Sequence, residues 1–213
     1  LPPLRLQYRD YSQWQHHLNA SGQLKKQETF WLETFKDRNR VPRLNLPTDF
    51  PRPEAFTFEG NAYGFRLESH EAAAFRELGR RCGGTLYTTL LAVLNVLFYK
   101  YTGQTDIVIG TGIAGRSHYD LQRIIGMFIN TLALRNFPEG NHTFNDFLKS
   151  VIPRTFRAFD NQDLQFDHLV EKLGIQRNSS GNPLFDVCLI VQNVSAPGPV
   201  QASSHHSHHH TPG

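Results

Sequence analysis

A chain of 213 residues, 39% hydrophobic and 12% aromatic with sixteen Phe, can bury one sizeable core or at most two small ones. Charged residues make up 19%, the formal net charge is +3 and the pI is about 9.0, without any dense Lys/Arg run. That composition excludes a disordered chain and gives no footing for nucleic acid as a partner. Cys82 and Cys188 lie far apart without metal-ligand spacing, so both read as buried small hydrophobes in a reducing compartment. The start reads as free of a signal peptide. The most apolar run, residues 86–101, is shorter than the roughly 20 residues a membrane span needs. A soluble, cytoplasmic protein without a membrane partner is the expectation.

In chain order, residues 8–19 predict a helix with Tyr8, Tyr11, Trp14, Gln15 and Leu18 on one face. A second helix is predicted over 24–37. Four prolines between 38 and 60 predict an extended passage lying across something else. Residues 62–67 alternate Tyr63, Phe65 and Leu67 with smaller or polar residues and predict a strand. Ser69 as N-cap opens a helix that runs to about Arg81, and Thr85 caps the next, apolar nearly all round and ending near Tyr101. A short strand at 106–111, a short helix at 119–125 and a strand at 127–136 follow. Thr143 and Asp146 resemble a capping box for a helix whose apolar residues run from Phe144 to Phe159, with Pro153 inside it predicting a kink. Asp163 as N-cap predicts a helix through Leu173, and 184–192 alternates like a strand. After Asn193 the composition turns to Ser, Pro, Gly and His: residues 194–213 read as a flexible linker and His-rich tag, outside the folded part at 1–193. Helices and strands alternate with few tight hairpins, so the expected class is α/β, a mixed sheet packed with helices.

Chemistry-bearing motifs are sparse. There is no Gly-x-Ser-x-Gly, phosphate loop or His-Glu-x-x-His; glycines 110, 112 and 115 fall at the G-x-G-x-x-G spacing, but no capped helix follows them directly, as a dinucleotide site requires, so that reading is rejected. His16-His17 ends an amphipathic helix, and adjacent residues point roughly 100° apart on a helix, so the pair reads as exposed helix-end histidines. No metal ligands or catalytic residues are assigned. The glycine-rich loop lets backbone approach a ligand closely at Gly115, and Arg116 reads equally as an anion contact or a surface arginine. Asn130 and Thr131 interrupt an apolar strand. They read either as a polar strand face or as hydrogen-bonding groups lining a ligand channel.

Five segments in order resemble the motifs of one family. Tyr8-Arg-Asp-Tyr-Ser-Gln-Trp-Gln15 resembles YxDYAxWQ; Leu46-Pro-Thr-Asp-Phe-Pro-Arg-Pro53 is similar to LPTDxPRP; residues 125–135 resemble IGxFVNTLxLR. Residues 161–167 resemble (H/N)QDxPFE with Gln165 for Pro and Asp167 for Glu, and 177–185 resemble RDxSRNPLF with Asn178 and Gly181 as departures. The family is the condensation domains of non-ribosomal peptide synthetases. The resemblance implies one lobe, the C-terminal one, of a chloramphenicol-acetyltransferase-like (CoA-dependent acyltransferase) fold. In that fold two α/β lobes enclose a tunnel, and an acceptor amine attacks a donor thioester to form an amide bond. It further implies substrates carried on the phosphopantetheine of peptidyl carrier proteins, no cofactor bound by this lobe, and partners in the N-terminal lobe and a neighbouring adenylation domain. The family's HHxxxDG is unmatched here, since His16-His17-Leu-Asn-Ala-Ser-Gly22 follows the first motif and ends in Ser-Gly. The implied role is a tunnel wall carrying Gly115, Arg116, Asn130 and Thr131, inactive alone. An epimerisation-domain lobe and a carrier-protein docking module without chemistry are the competing readings.

Overall fold

The computed structural model describes residues 4–36, 41–50, 60–116, 118–175 and 181–192. Six helices are formed among them: α1 (Tyr8–Ala20), α2 (Lys25–Thr34), α3 (Ser69–Arg81), α4 (Leu86–Thr102), α5 (Phe144–Asp160) and α6 (Phe166–Leu173). Two strands, β1 (Ile107–Ile113) and β2 (Asn130–Asn136), pair antiparallel with Ile107 opposite Asn136 and Ile113 opposite Asn130. A 3₁₀ turn, Tyr119–Arg123, lies between them. The other side of β1 is also occupied. The Gly110 N–H donates to the Val187 carbonyl at 2.8 Å, and the Gly110 carbonyl accepts from Leu189 N–H at 2.9 Å, a parallel bridge centred on Cys188. Two hydrogen bonds suffice for a bridge but not a ladder, so the expected strand at 184–192 is reduced to one point of pairing. The sheet is nonetheless mixed, with helices packed on it.

Local signals explain most boundaries. Thr85 accepts from Thr88 N–H at the start of α4, and Gly103 closes that helix with φ 70°, where L side chains are strained. Thr143 accepts from Asp146 N–H at the start of α5. α3 differs from expectation: Glu68 is its N-cap, Ser69 its first residue, and the Glu71 carboxylate accepts the Glu68 N–H at 2.8 Å. α6 differs too, with Gln165 rather than Asp163 at the N-cap. α4 is not apolar all round in use. Thr88, Leu91, Ala92, Asn95 and Phe98 are buried, while Leu97 and Tyr101 are exposed. It packs on α3, α5 and β1, and the side facing away from all three stays open to solvent.

The main core gathers Trp31 and Phe35 of the α2 region, Leu91 of α4, Ile107 and Ile109 of β1, Leu132 and Leu134 of β2, Leu148 and Val151 of α5, and Leu184. A second, smaller cluster holds Tyr11, Leu121, Ile124 and Phe128. The extended passage lies across the body as expected where it is described. Asp186 accepts the Leu44 N–H at 2.9 Å and pairs with Arg43 at 3.1 Å, and Gln104 bonds both Arg43 and Asn45. Residues 62–67 form no strand: they have no pairing partner among the described residues and every one is exposed, with Tyr63 at 91% and Phe65 at 78%. Cys82 is half-buried and Cys188 exposed, contrary to the expectation of two buried thiols, because the 187–189 segment pairs on the outer side of β1. The expected linker and tag at 194–213, the end of the second helix at 37 and the motif positions 51–53 and 177–180 lie outside the described residues. Among the described residues no single helix is long and apolar enough to cross a membrane.

Candidate functional site

Three of the five motif segments and the glycine-rich loop converge on one end of the sheet. α1 brings Tyr8, Tyr11 and Trp14; the end of β1 leads into Gly115 and Arg116; the stretch 125–131 runs alongside; and the loop 161–165 closes the opposite side. A small cleft lies between Tyr11, Gly115, Phe128, Asn130 and Gln162.

Phe128 is the pivot. It is buried, its ring is 4.6 Å from that of Tyr11 and 5.3 Å edge-on from that of Tyr8. On it sits the Arg116 guanidinium, 4.1 Å from the ring centroid, a cation–π distance. The same guanidinium donates to the Leu121 carbonyl and to the Ile124 carbonyl at 2.8 Å, tying down the end of the 3₁₀ turn. Gly115 has φ 60°, and a Cβ there would stand 1.8 Å from the Phe128 carbonyl oxygen. The loop and the strand therefore touch backbone to backbone at a spacing only glycine permits. Gly126 is required for a related reason, but its neighbour is a ring: a Cβ would lie 2.2 Å from Tyr8, whose hydroxyl donates to the Met127 carbonyl at 2.9 Å. Burial, with Tyr8 and Asp163 adding to it, pushes the Tyr11 hydroxyl above the ordinary tyrosine range.

Asn130 is 5% exposed and fully engaged. Its Nδ2 donates to the carbonyls of Gln162 at 2.8 Å and Leu164 at 2.9 Å, while Oδ1 accepts the N–H of Phe166 at 3.0 Å and of Thr131 at 2.8 Å. Gln27 grips the same loop: its Oε1 accepts from Asp163 N–H and Leu164 N–H, and its Nε2 donates to the Asp163 carboxylate at 2.8 Å. Trp31 Nε1 donates to the Asn161 carbonyl at 2.7 Å. Asp163 is thus a loop anchor rather than a helix cap. Thr131 is half-buried opposite Gly112.

The structure brings Gly115, Arg116, Asn130 and Thr131 into one region, around Phe128 and the start of β2. Sequence reasoning missed Gln27, Trp31 and Phe128 as its supports. Phe128 was visible only as an apolar residue in an apolar run, and Gln27 carries no local signal. Beside the cleft, Ile125, Met127 and Ile129 alternate outward with exposures of 95%, 73% and 65%. His16 and His17 are both exposed on α1. Among the described residues no group of three or more His, Cys, Asp or Glu is placed to hold a metal ion.

These features meet their match in known proteins. The family model "Condensation domain" matches residues 1–211, and the chain belongs to the condensation-domain family. Tyrocidine synthase 3 of Brevibacillus parabrevis is 48% identical over 195 residues, and bacitracin synthase 3 of Bacillus licheniformis 44% over 194. Each alignment covers more than nine-tenths of this chain (92% and 91%) and 3% of the relative, so the chain spans a small fraction of the relatives it matches. Among solved structures, the X-domain from teicoplanin biosynthesis is similar with a TM-score of 0.78 and 26% identity, over 88% of this chain and 42% of that one. A four-domain nonribosomal peptide synthetase, holo-AB3403, bound to AMP and glycine, is similar at 0.74 and 25%, over 79% of this chain and 13% of that one. The first condensation domain of the calcium-dependent antibiotic synthetase shares the fold at 0.66 and 17% identity, with 89% of this chain against 40% of that one.

Proposed function

We propose that residues 1–193 form the C-terminal lobe of a non-ribosomal peptide synthetase condensation domain, supply one wall of its substrate channel, and are inactive alone. The observation carrying this is the clamp around Asn130. Four hydrogen bonds fix a polar residue at the mouth of a cleft, beside an outward-facing apolar row at Ile125, Met127 and Ile129. Apolar rows of this kind mark surfaces that meet another body, and in this reading that body is the N-terminal lobe. The chain's match to about two-fifths of a solved condensation domain fits one lobe of two.

In the proposed reaction a carrier-bound acceptor amine attacks the donor thioester carbonyl. The C–S bond breaks, an amide forms, and the thiol of the donor phosphopantetheine arm leaves with a proton. This chain's residues shape that path and hold no proton in it. Gly115 lets the loop lie against the Phe128 backbone, Arg116 locks Phe128 and the 3₁₀ turn, Asn130 fixes the 161–166 loop, and Thr131 offers a hydroxyl beside it. The chain has no HHxxxDG, and His16-His17 lies on the solvent side of α1. Carrier proteins and an adenylation domain are the expected partners, with no cofactor held by this lobe.

The test is a condensation assay with aminoacyl- and peptidyl-carrier proteins. The chain alone gives no dipeptide, and adding a separately produced N-terminal lobe restores product. Product from the chain alone overturns the reading. A docking role without chemistry has one observation in its favour, since the X-domain that resembles this chain is also known in complex with OxyB. Reconstitution that yields carrier binding without product supports that role instead.

A further inference from the structure

A second cavity, of about 440 Å³, lies between α2, the far end of β2 and α5, and the channel wall does not use it. Five residues of strand, about 17 Å, separate Asn130 from Arg135 at its edge. Four cations line it, Lys36, Arg135, Arg154 and Arg157, against two carboxylates, Glu33 and Asp106. Asp106 takes both prongs of Arg135, at 2.9 Å from Nε and 2.6 Å from Nη2. Glu33 offsets Lys36 in charge. Arg154 and Arg157 are in ion-pair contact with no carboxylate among the described residues. They stand three apart on α5, where side chains are neighbours and like charges repel. Arg154 is half-buried and lies 5.2 Å from the centroid of Phe137, a ring that also receives Arg135 at 5.5 Å, so aromatic contact holds it in place. Burial, and then Arg157, pull it below the ordinary arginine range.

The strand wall adds an unsatisfied group. Asn136 lines the same cavity, is 1% exposed, and its side-chain Oδ1 has no hydrogen-bond partner. A buried amide is expected to be paired. Either end of the amide can be turned inward, so it can present N–H donors to an anion.

We propose that this cavity binds a dianionic phosphate group, gripped by Arg154 and Arg157 with the Asn136 amide as a further donor. Two uncompensated positive charges match a dianion, whereas a monocarboxylate leaves one unmatched. The guanidinium fork suits phosphate oxygens in pairs. Phe30 and Phe137 on the walls offer apolar contact to whatever bears the phosphate. The group can be free phosphate or a phosphate monoester.

The test is a ¹H–¹⁵N NMR titration of the 213-residue chain, at constant ionic strength, with inorganic phosphate, phenyl phosphate and acetate. Saturable shifts at Asn136, Arg154 and Arg157 are expected, with at least one phosphate compound half-saturating at a concentration about tenfold or more below acetate. Arg157→Gln, an exposed position whose replacement leaves the core intact, is expected to raise that concentration about tenfold, and Arg123→Gln, on the 3₁₀ turn, to leave it unchanged. Tighter binding of phenyl phosphate than of inorganic phosphate assigns the site to a monoester, and the reverse to the free ion. Equal responses to phosphate and acetate, or a phosphate response untouched by Arg157→Gln, overturn the proposal.

Discussion

The side-chain oxygen of Asn130 accepts the backbone N–H of Phe166, so a residue on β2 caps a helix thirty-six positions later. α6 has no side-chain cap of its own at Gln165. Asn130→Ala leaves two loop carbonyls and the Phe166 N–H without partners in a buried place. A loss of about 2–4 kcal/mol is expected by urea denaturation, given the cost of unsatisfied buried groups. Asn130→Asp is expected to lose more at neutral pH, because it removes both donors and buries a charge. An aspartate variant as stable as wild type would show that the four bonds do not govern the loop.

Gly115 and Gly112 sit three residues apart and should respond in opposite ways. Gly115→Ala meets the Phe128 carbonyl at 1.8 Å with a positive φ, and at least about 3 kcal/mol of destabilisation is expected. Gly112→Ala meets nothing within 4 Å. Its thermal midpoint should stay near wild type. Equal midpoints for the two variants would remove the close approach as the reason for Gly115.

Arg135 joins three pieces: two bonds to Asp106 and one from Nη1 to the Thr34 carbonyl at 2.9 Å. Its side chain is 8% exposed. Arg135→Ala strands Asp106 and the end of α2, for a loss on the order of 3 kcal/mol. Arg135→Lys should recover less than half of it, since an ammonium cannot make the two-pronged contact. Guanidinium chloride unfolding of both variants measures the difference.

At the α3 surface, hydrogen bonds from Arg80 first and Arg81 second hold the Glu77 carboxyl down from 4.5 to about 2. Because the folded value is the lower one, the favourable contribution is complete above pH 4.5 and is lost as pH falls through about 2. A ¹³C NMR titration should find the Glu77 midpoint near 2, moving back towards 4.5 in the Arg80→Gln, Arg81→Gln double variant. A midpoint that stays put in that variant would mean the arginines are not the cause.

What the sequence disclosed follows the range of the forces involved. Helices α4 and α5 could be read with their caps, because Thr85 and Thr143 act within three residues. Residues 62–67 alternate like a strand, but alternation marks a chain able to pair, and no partner is present among the described residues. Asp163 has the chemistry of an N-cap, yet Gln27, 136 positions away, takes its carboxylate. In the sequence Asn130 admits two readings because its partners lie in a loop more than thirty residues on. The candidate cleft was legible as motifs, while its supports at Phe128, Gln27 and Trp31 depend on contacts that no local pattern records.

Gly110 is paired on both sides, to Ala133 in β2 and to the 187–189 segment, with Phe185 packed where a Cβ would stand at 2.4 Å. β2 follows β1 closely in the chain, but the other flank waits for residues more than seventy positions later. At a synthesis rate of about 5–20 residues per second, that flank of β1 is without its partner for roughly 4 to 15 s in every new copy. An unsealed strand edge can recruit the wrong neighbour. The order of manufacture, and not only the finished architecture, therefore makes slow translation or truncation before residue 187 a hazard for this chain.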